Sequence, residues 1–69
     1  MRLSARNQIK GKIIDVKKGA TTSHLRIDIG NSNVITSSIT NEAADELGLK
    51  VGINATVDIK ASDVMIAVD

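Results

Sequence analysis

The sequence predicts a small, mostly β domain, and three observations carry that expectation. Valine and isoleucine number sixteen against four leucines, and side chains branched at Cβ suit a pleated strand better than a helix, where they lose rotamer freedom. Apolar and polar residues alternate with period two in several short stretches bounded by Gly, Asn and Ser. With 69 residues the chain has the size of one domain, expected to span residues 1–69.

The first strand is expected over residues 9–16, with Ile9, Gly11 and Ile13 on one face and Lys10, Lys12 and Ile14 on the other. A glycine inside a strand marks a bulge or a tight bend at a barrel corner, so Gly11 is read as such a place. A polar turn over residues 17–23 leads to the clearest alternation in the chain. There Leu25, Ile27 and Ile29 are inward and His24, Arg26 and Asp28 outward. Gly30, Asn31, Ser32 and Asn33 are turn residues, Gly and Asn being tolerant of positive φ, and residues 34–39 should return as the antiparallel partner.

Thr40 is placed as the N-cap of a short helix through Leu47, with Glu42 and Asp45 near its positive end and Gly48 as the residue that stops it. Barely two turns long, that helix needs Ala43, Ala44 and Leu47 pressed against the sheet to persist. Residues 55–60 resume the period of two, Ala61, Ser62 and Asp63 break it, and residues 64–68 are read as a fifth strand. Three strands, a short helix and two strands match the OB-fold, a partly open five-stranded barrel.

Composition excludes whole classes of chemistry. The chain has no Cys, so disulfides, thiolate catalysis and Cys-ligated metals are absent. No stretch approaches the ~18 apolar residues of a membrane span, and the N-terminal residues do not resemble a signal peptide, so a cytoplasmic location without a membrane partner is expected. With nine basic and eight acidic residues and no aromatic, the chain has neither the charge excess nor the stacking platform of a single-strand binder, so no nucleic-acid partner is expected, and a nucleic-acid-binding OB module or a structural interaction module without small ligand stands as the alternative. A domain this small, with neither staples nor aromatics, gains stability most readily by association, so an obligate oligomer is expected.

No catalytic constellation stands out, and no enzyme is expected. His24 is the single histidine and reads as a solvated strand residue with no metal-ligand spacing around it. Asp58 and Asp63 read as an outward strand residue and a turn residue rather than a carboxylate pair. Short polar donors do gather around two cations, at Ser4-Ala5-Arg6-Asn7 and at Lys60-Ala61-Ser62. A guanidinium fork, an ammonium, hydroxyls and backbone N–H groups suit a small oxyanion, and small Ala and Ser side chains let the backbone approach it. Lys18-Gly19-Ala20 is a second donor-rich turn, able to aim successive N–H groups at an anion. Each of these places also has the plainer reading of ordinary surface polarity.

Four segments, SARNQIKGKI at 4–13, VITSSIT at 34–40, ADELGLKVG at 44–52 and IKASDVMIA at 59–67, together resemble the molbindin family, the Mop-type molybdate-binding domains. The resemblance runs from Leu3 to Val68 and implies an OB-like barrel in its single-domain form, assembled as a homohexamer, a trimer of dimers. It implies molybdate or tungstate as ligand, bound between subunits, in a storage or homeostatic role without a cofactor or a directly ligated cation. In the matching motifs Ser4, Ala5, Arg6 and Thr40 would line a dimer-interface site that Lys60, Ala61 and Ser62 close from the partner chain. Lys18, Gly19 and Ala20 would form an oxyanion site near the threefold axis. One departure is Ala43, where some relatives carry a serine, which removes one hydroxyl from the helix side of the site.

Overall fold

The computed structural model describes residues 7–69, so the expectations for Ser4, Ala5 and Arg6 lie outside the described residues. The element order is β1 (Asn7–Lys18), β2 (Thr22–Gly30), β3 (Asn33–Thr40), a six-residue helix α1 (Asn41–Glu46), β4 (Asn54–Ile59) and a 3-10 turn over Ala61–Asp63. The four strands form one antiparallel sheet in the order β3-β2-β1-β4.

β1 is the strand that curls the sheet. Its N-terminal half, Asn7 to Lys12, pairs with β4, and from Lys12 to Lys18 it pairs with β2. The chain therefore turns a corner where the sequence places Gly11. A Cβ there would lie 2.6 Å from Ile27 Cγ2 and 2.7 Å from the Asp28 carbonyl oxygen, too close for any other residue without backbone movement. A register shift between Ile13 and Asp15 follows, and it leaves Ile14 41% exposed. A bulge of this kind increases twist and helps a flat sheet become a barrel wall.

The expected alternation of β2 holds: Leu25 and Ile27 are buried and His24, Arg26 and Asp28 exposed. With Ile13 they make the core, and Val16, Ile29, Ile39, Leu49, Ala55 and Val57 pack partly buried around them. The β2–β3 hairpin closes through Asn31 and Ser32 at φ 53° and 63°, the paired left-handed conformation whose twist matches that of the flanking strands. The Asp28 carboxylate accepts from the Gly30 N–H at 2.8 Å and fixes the entry to that turn.

α1 begins as expected, with the Thr40 Oγ1 accepting the Ala43 N–H at 3.1 Å. It ends on Gly48 at φ +63°, where Gly48 N–H donates to Asp45 O and Leu49 N–H to Ala44 O, both at 3.1 Å. Those two bonds are a Schellman stop, and Ala44 and Leu49 supply its apolar contact. Ala44 is the buried residue of the helix. Leu47, expected against the sheet, is 68% exposed and borders the open hollow on the sheet's inner face. Asp45 lies in the closing turn rather than near the positive end.

The fifth strand is the expectation that fails. Residues 64–69 carry no strand pairing, and Met65, Ile66 and Val68 are 93%, 84% and 90% exposed. Val64 leaves the 3-10 turn extended, at φ −89° and ψ 122°, and the residues after it pair with neither edge of the sheet. β3 and β4 remain as the two edges, and between them the sheet's inner face opens as a hollow of about 220 Å³ lined largely by Ile13, Leu25, Ile39, Leu47, Leu49 and Val57.

Candidate functional site

The sheet sorts the described candidate residues into two groups. Lys60, Ala61 and Ser62 follow β4, beside the start of β1, since Ile59 pairs with Asn7. Thr40 pairs with Thr22, and Ser23 with Lys18, so Thr40 stands with Lys18, Gly19 and Ala20 at the other end of β1. Twelve residues of β1, which bends at Gly11 and bulges after Ile13, lie between the two groups in sequence. Among the described residues no hydrogen bond or ion pair links the two groups within one chain.

At the first group the chain leaves β4 and tightens into the 3-10 turn, held by Asp63 N–H to Lys60 O at 2.9 Å and Val64 N–H to Ala61 O at 3.3 Å. Lys60, Ala61 and Ser62 are all exposed. Among the described residues the Lys60 ammonium has no ion-pair partner, and the N–H groups of Ala61 and Ser62 have no backbone acceptor. A cation, two N–H donors and a hydroxyl on one short turn can hold a tetrahedral anion on one side.

The second group is built around Asn41, which the sequence reading passed over. The Ser23 hydroxyl, fully buried, donates to Asn41 Oδ1 at 2.5 Å. Asn41 Nδ2 donates to Gly19 O and its backbone N–H to Thr21 O, each at 2.9 Å. Within the turn, Gly19 N–H donates to Thr22 O at 2.8 Å, and a Cβ on Gly19 would come within 2.9 Å of that same oxygen. The turn is thereby clamped against the start of α1, and Lys18 Nζ reaches Asp45 Oδ1 at 2.8 Å.

Thr40 sits beside this clamp with its oxygen already engaged as an acceptor by the cap bond. Its hydroxyl proton is left to donate, which is the polarity an oxyanion requires. The signal for Asn41 was present in sequence as an Asn following a Thr at a strand-to-helix junction, but its partners lie 18 and 22 residues away, beyond any local pattern.

No group of three or more His, Cys, Asp or Glu that could hold a metal ion occurs among the described residues. His24 is exposed opposite Lys17 and Ser38, and Asp58 lies opposite Gln8 on β4. No helix among the described residues is long and apolar enough to cross a membrane.

The TOBE domain profile matches residues 3–66. The chain belongs to the TOBE-domain family. Within it the chain is of the single-domain Mop type, on the evidence of relatives similar over its whole length. Molybdenum-pterin-binding protein 1 of Clostridium pasteurianum is 47% identical over 66 residues, 96% of this chain and 97% of its own. The solved apo structure of MopII, also from Clostridium pasteurianum, superposes with a TM-score of 0.90 at 43% identity, covering 97% of this chain and all of that one. The molybdate-bound structure of ModG, described as a cytoplasmic molybdate-binding protein, gives a TM-score of 0.89 at 42% identity, covering 94% of this chain and 46% of its own. The fold is thus that of the Mop structures, OB-like and mostly β, with four strands among the described residues.

Proposed function

We propose that the protein binds molybdate or tungstate reversibly in the cytoplasm, as a single-domain homo-oligomer with its sites between subunits, and that it stores the oxyanion without covalent chemistry. The observation that carries this reading is the agreement over nearly the whole chain with a molybdate-bound structure at 42% identity.

The chemistry of the site residues supports it. A tetrahedral dianion needs compensating positive charge and donors for four oxygens, and its burial is costly unless each oxygen is met. Arg6 and Lys60 bring charge, Ser4, Thr40 and Ser62 bring hydroxyls, and Ala5 and Ala61 allow backbone N–H groups to approach. With every partner a donor, a protonated oxyanion such as hydrogen phosphate would leave two donors facing each other. The dimer-interface site joins Thr40 of one chain to the Lys60 turn of another. Lys18, Gly19 and Ala20 form the second oxyanion site, near the threefold axis of a hexamer built as a trimer of dimers.

Association has a physical driver. The apolar residues Val64, Met65, Ile66 and Val68 are exposed, and the inner face of the sheet is open. Covering such residues contributes about 1.5–3 kcal/mol for each large side chain fully buried. Calorimetric titration with molybdate, tungstate and sulfate tests the reading. Saturable heat with the two heavy oxyanions and a molybdate-dependent rise in melting temperature are expected. Absence of both with either heavy oxyanion would overturn it.

A further inference from the structure

The Lys18–Asp45 ion pair sits on the turn proposed above as the second oxyanion site, and it is the only ion pair among the described residues. Its geometry is set by the backbone. Asn41 pulls the carbonyls of Gly19 and Thr21 toward the start of α1, and this docking brings the end of β1 within reach of the closing turn of the helix. The cation of that site is therefore already partnered, whereas Lys60 at the other site has no such partner.

We propose that Asp45 is a built-in competitor for the anion at the Lys18-Gly19-Ala20 turn, setting that site to fill after the first and to prefer dianions. This rests on the oxyanion-binding reading above and deepens it. Both side chains of the pair are more than half exposed, at 54% and 65%, and exposed pairs of this kind are weak and screened by salt. A tetrahedral dianion exerts twice the attraction of a single carboxylate on the Lys18 ammonium at equal distance, so it displaces Asp45. Chloride or a simple carboxylate, carrying one charge, gains nothing by the exchange. After displacement Asp45 remains nearby as a repelling charge, which weakens the site further. Asp45 is thus a specificity-determining residue that acts through Lys18 and need not touch the ligand.

The test is a molybdate titration of the intact assembly at low and high chloride, for the unaltered protein, Asp45→Asn, Asp45→Glu and Asp45→Asn with Lys18→Ala. Asp45→Asn removes an acid from the closing turn of a helix, where the dipole disfavours it, so folding is not at risk. The expected result is a tight class of sites unchanged throughout and a weaker class that tightens on the order of three- to tenfold in Asp45→Asn. Asp45→Glu restores the original value, and Lys18→Ala abolishes the gain. In Asp45→Asn chloride should now compete. An unchanged weaker class, or one weakened by Asp45→Asn, overturns the proposal. Failure of the oxyanion reading itself looks different: neither class binds molybdate in any of the four proteins.

Discussion

Replacing Asn41 with alanine tests the clamp that joins the β1–β2 turn to the helix. The substitution removes the Nδ2 bond to Gly19 O and strips the Ser23 hydroxyl of its partner. Ser23 is 0% exposed, and a buried group left without a partner costs about 1–3 kcal/mol, while the more exposed amide bond contributes about 0.5–1 kcal/mol. The sum is about 1.5–4 kcal/mol, against a total of about 3–10 kcal/mol for a chain of 69 residues. Ser23→Ala should cost less, about 1 kcal/mol, since Asn41 is only partly buried and water can reach its oxygen. The double variant should then be more stable than the sum of the two losses implies, by about 1 kcal/mol, since no orphan hydroxyl remains. Urea unfolding followed by far-ultraviolet circular dichroism is the suitable assay, because a chain with no Trp, Tyr or Phe has no useful intrinsic fluorescence. Protomer concentration must be held fixed, since association is linked to stability. An Asn41→Ala loss under 0.5 kcal/mol, or strict additivity in the cycle, would refute the reasoning.

Three further outcomes are expected. Gly11→Ala puts a Cβ within 2.7 Å of a backbone oxygen and 2.6 Å of the Ile27 side chain, so a loss of about 1–3 kcal/mol is expected from thermal or urea unfolding. Thr40→Ala removes the helix cap, costing about 1 kcal/mol, and should also weaken molybdate binding in calorimetry, whereas Thr40→Ser should preserve both. Truncation after Asp63, or Ile66→Asp in the full chain, should shift sedimentation velocity toward a smaller species, because the exposed apolar residues 64–68 supply the interface.

The sequence made the sheet legible wherever one face was buried and the other wet. Leu25, Ile27 and Ile29 alternate with His24, Arg26 and Asp28 because β2 is covered on one side only, and period two is the direct trace of that asymmetry. Gly11, Thr40 and Gly48 were legible for a different reason: a corner, a cap and a stop each demand a particular residue type. Residues 64–68 misled because a continuous apolar run records burial without naming the partner. In the single chain the run pairs with neither β3 nor β4. Leu47 misled by the same logic, its apolar side chain being mostly exposed at the border of the hollow. At the site, Lys18, Gly19, Ala20, Thr40, Lys60, Ala61 and Ser62 were nominated as donors, but sequence spacing carried no information on which end of β1 each would occupy. Asn41 and Asp45 act across 22 and 27 residues, and such partners emerge only when the register of β1 against β2 is known.

Crystals grown with tungstate, read by anomalous scattering at the tungsten edge, test the central claim most directly. The account expects strong density at contacts between subunits, with Thr40 of one chain and the turn at Lys60, Ala61 and Ser62 of another around it. Tungstate found wholly within single chains, or at no contact between chains, would contradict it.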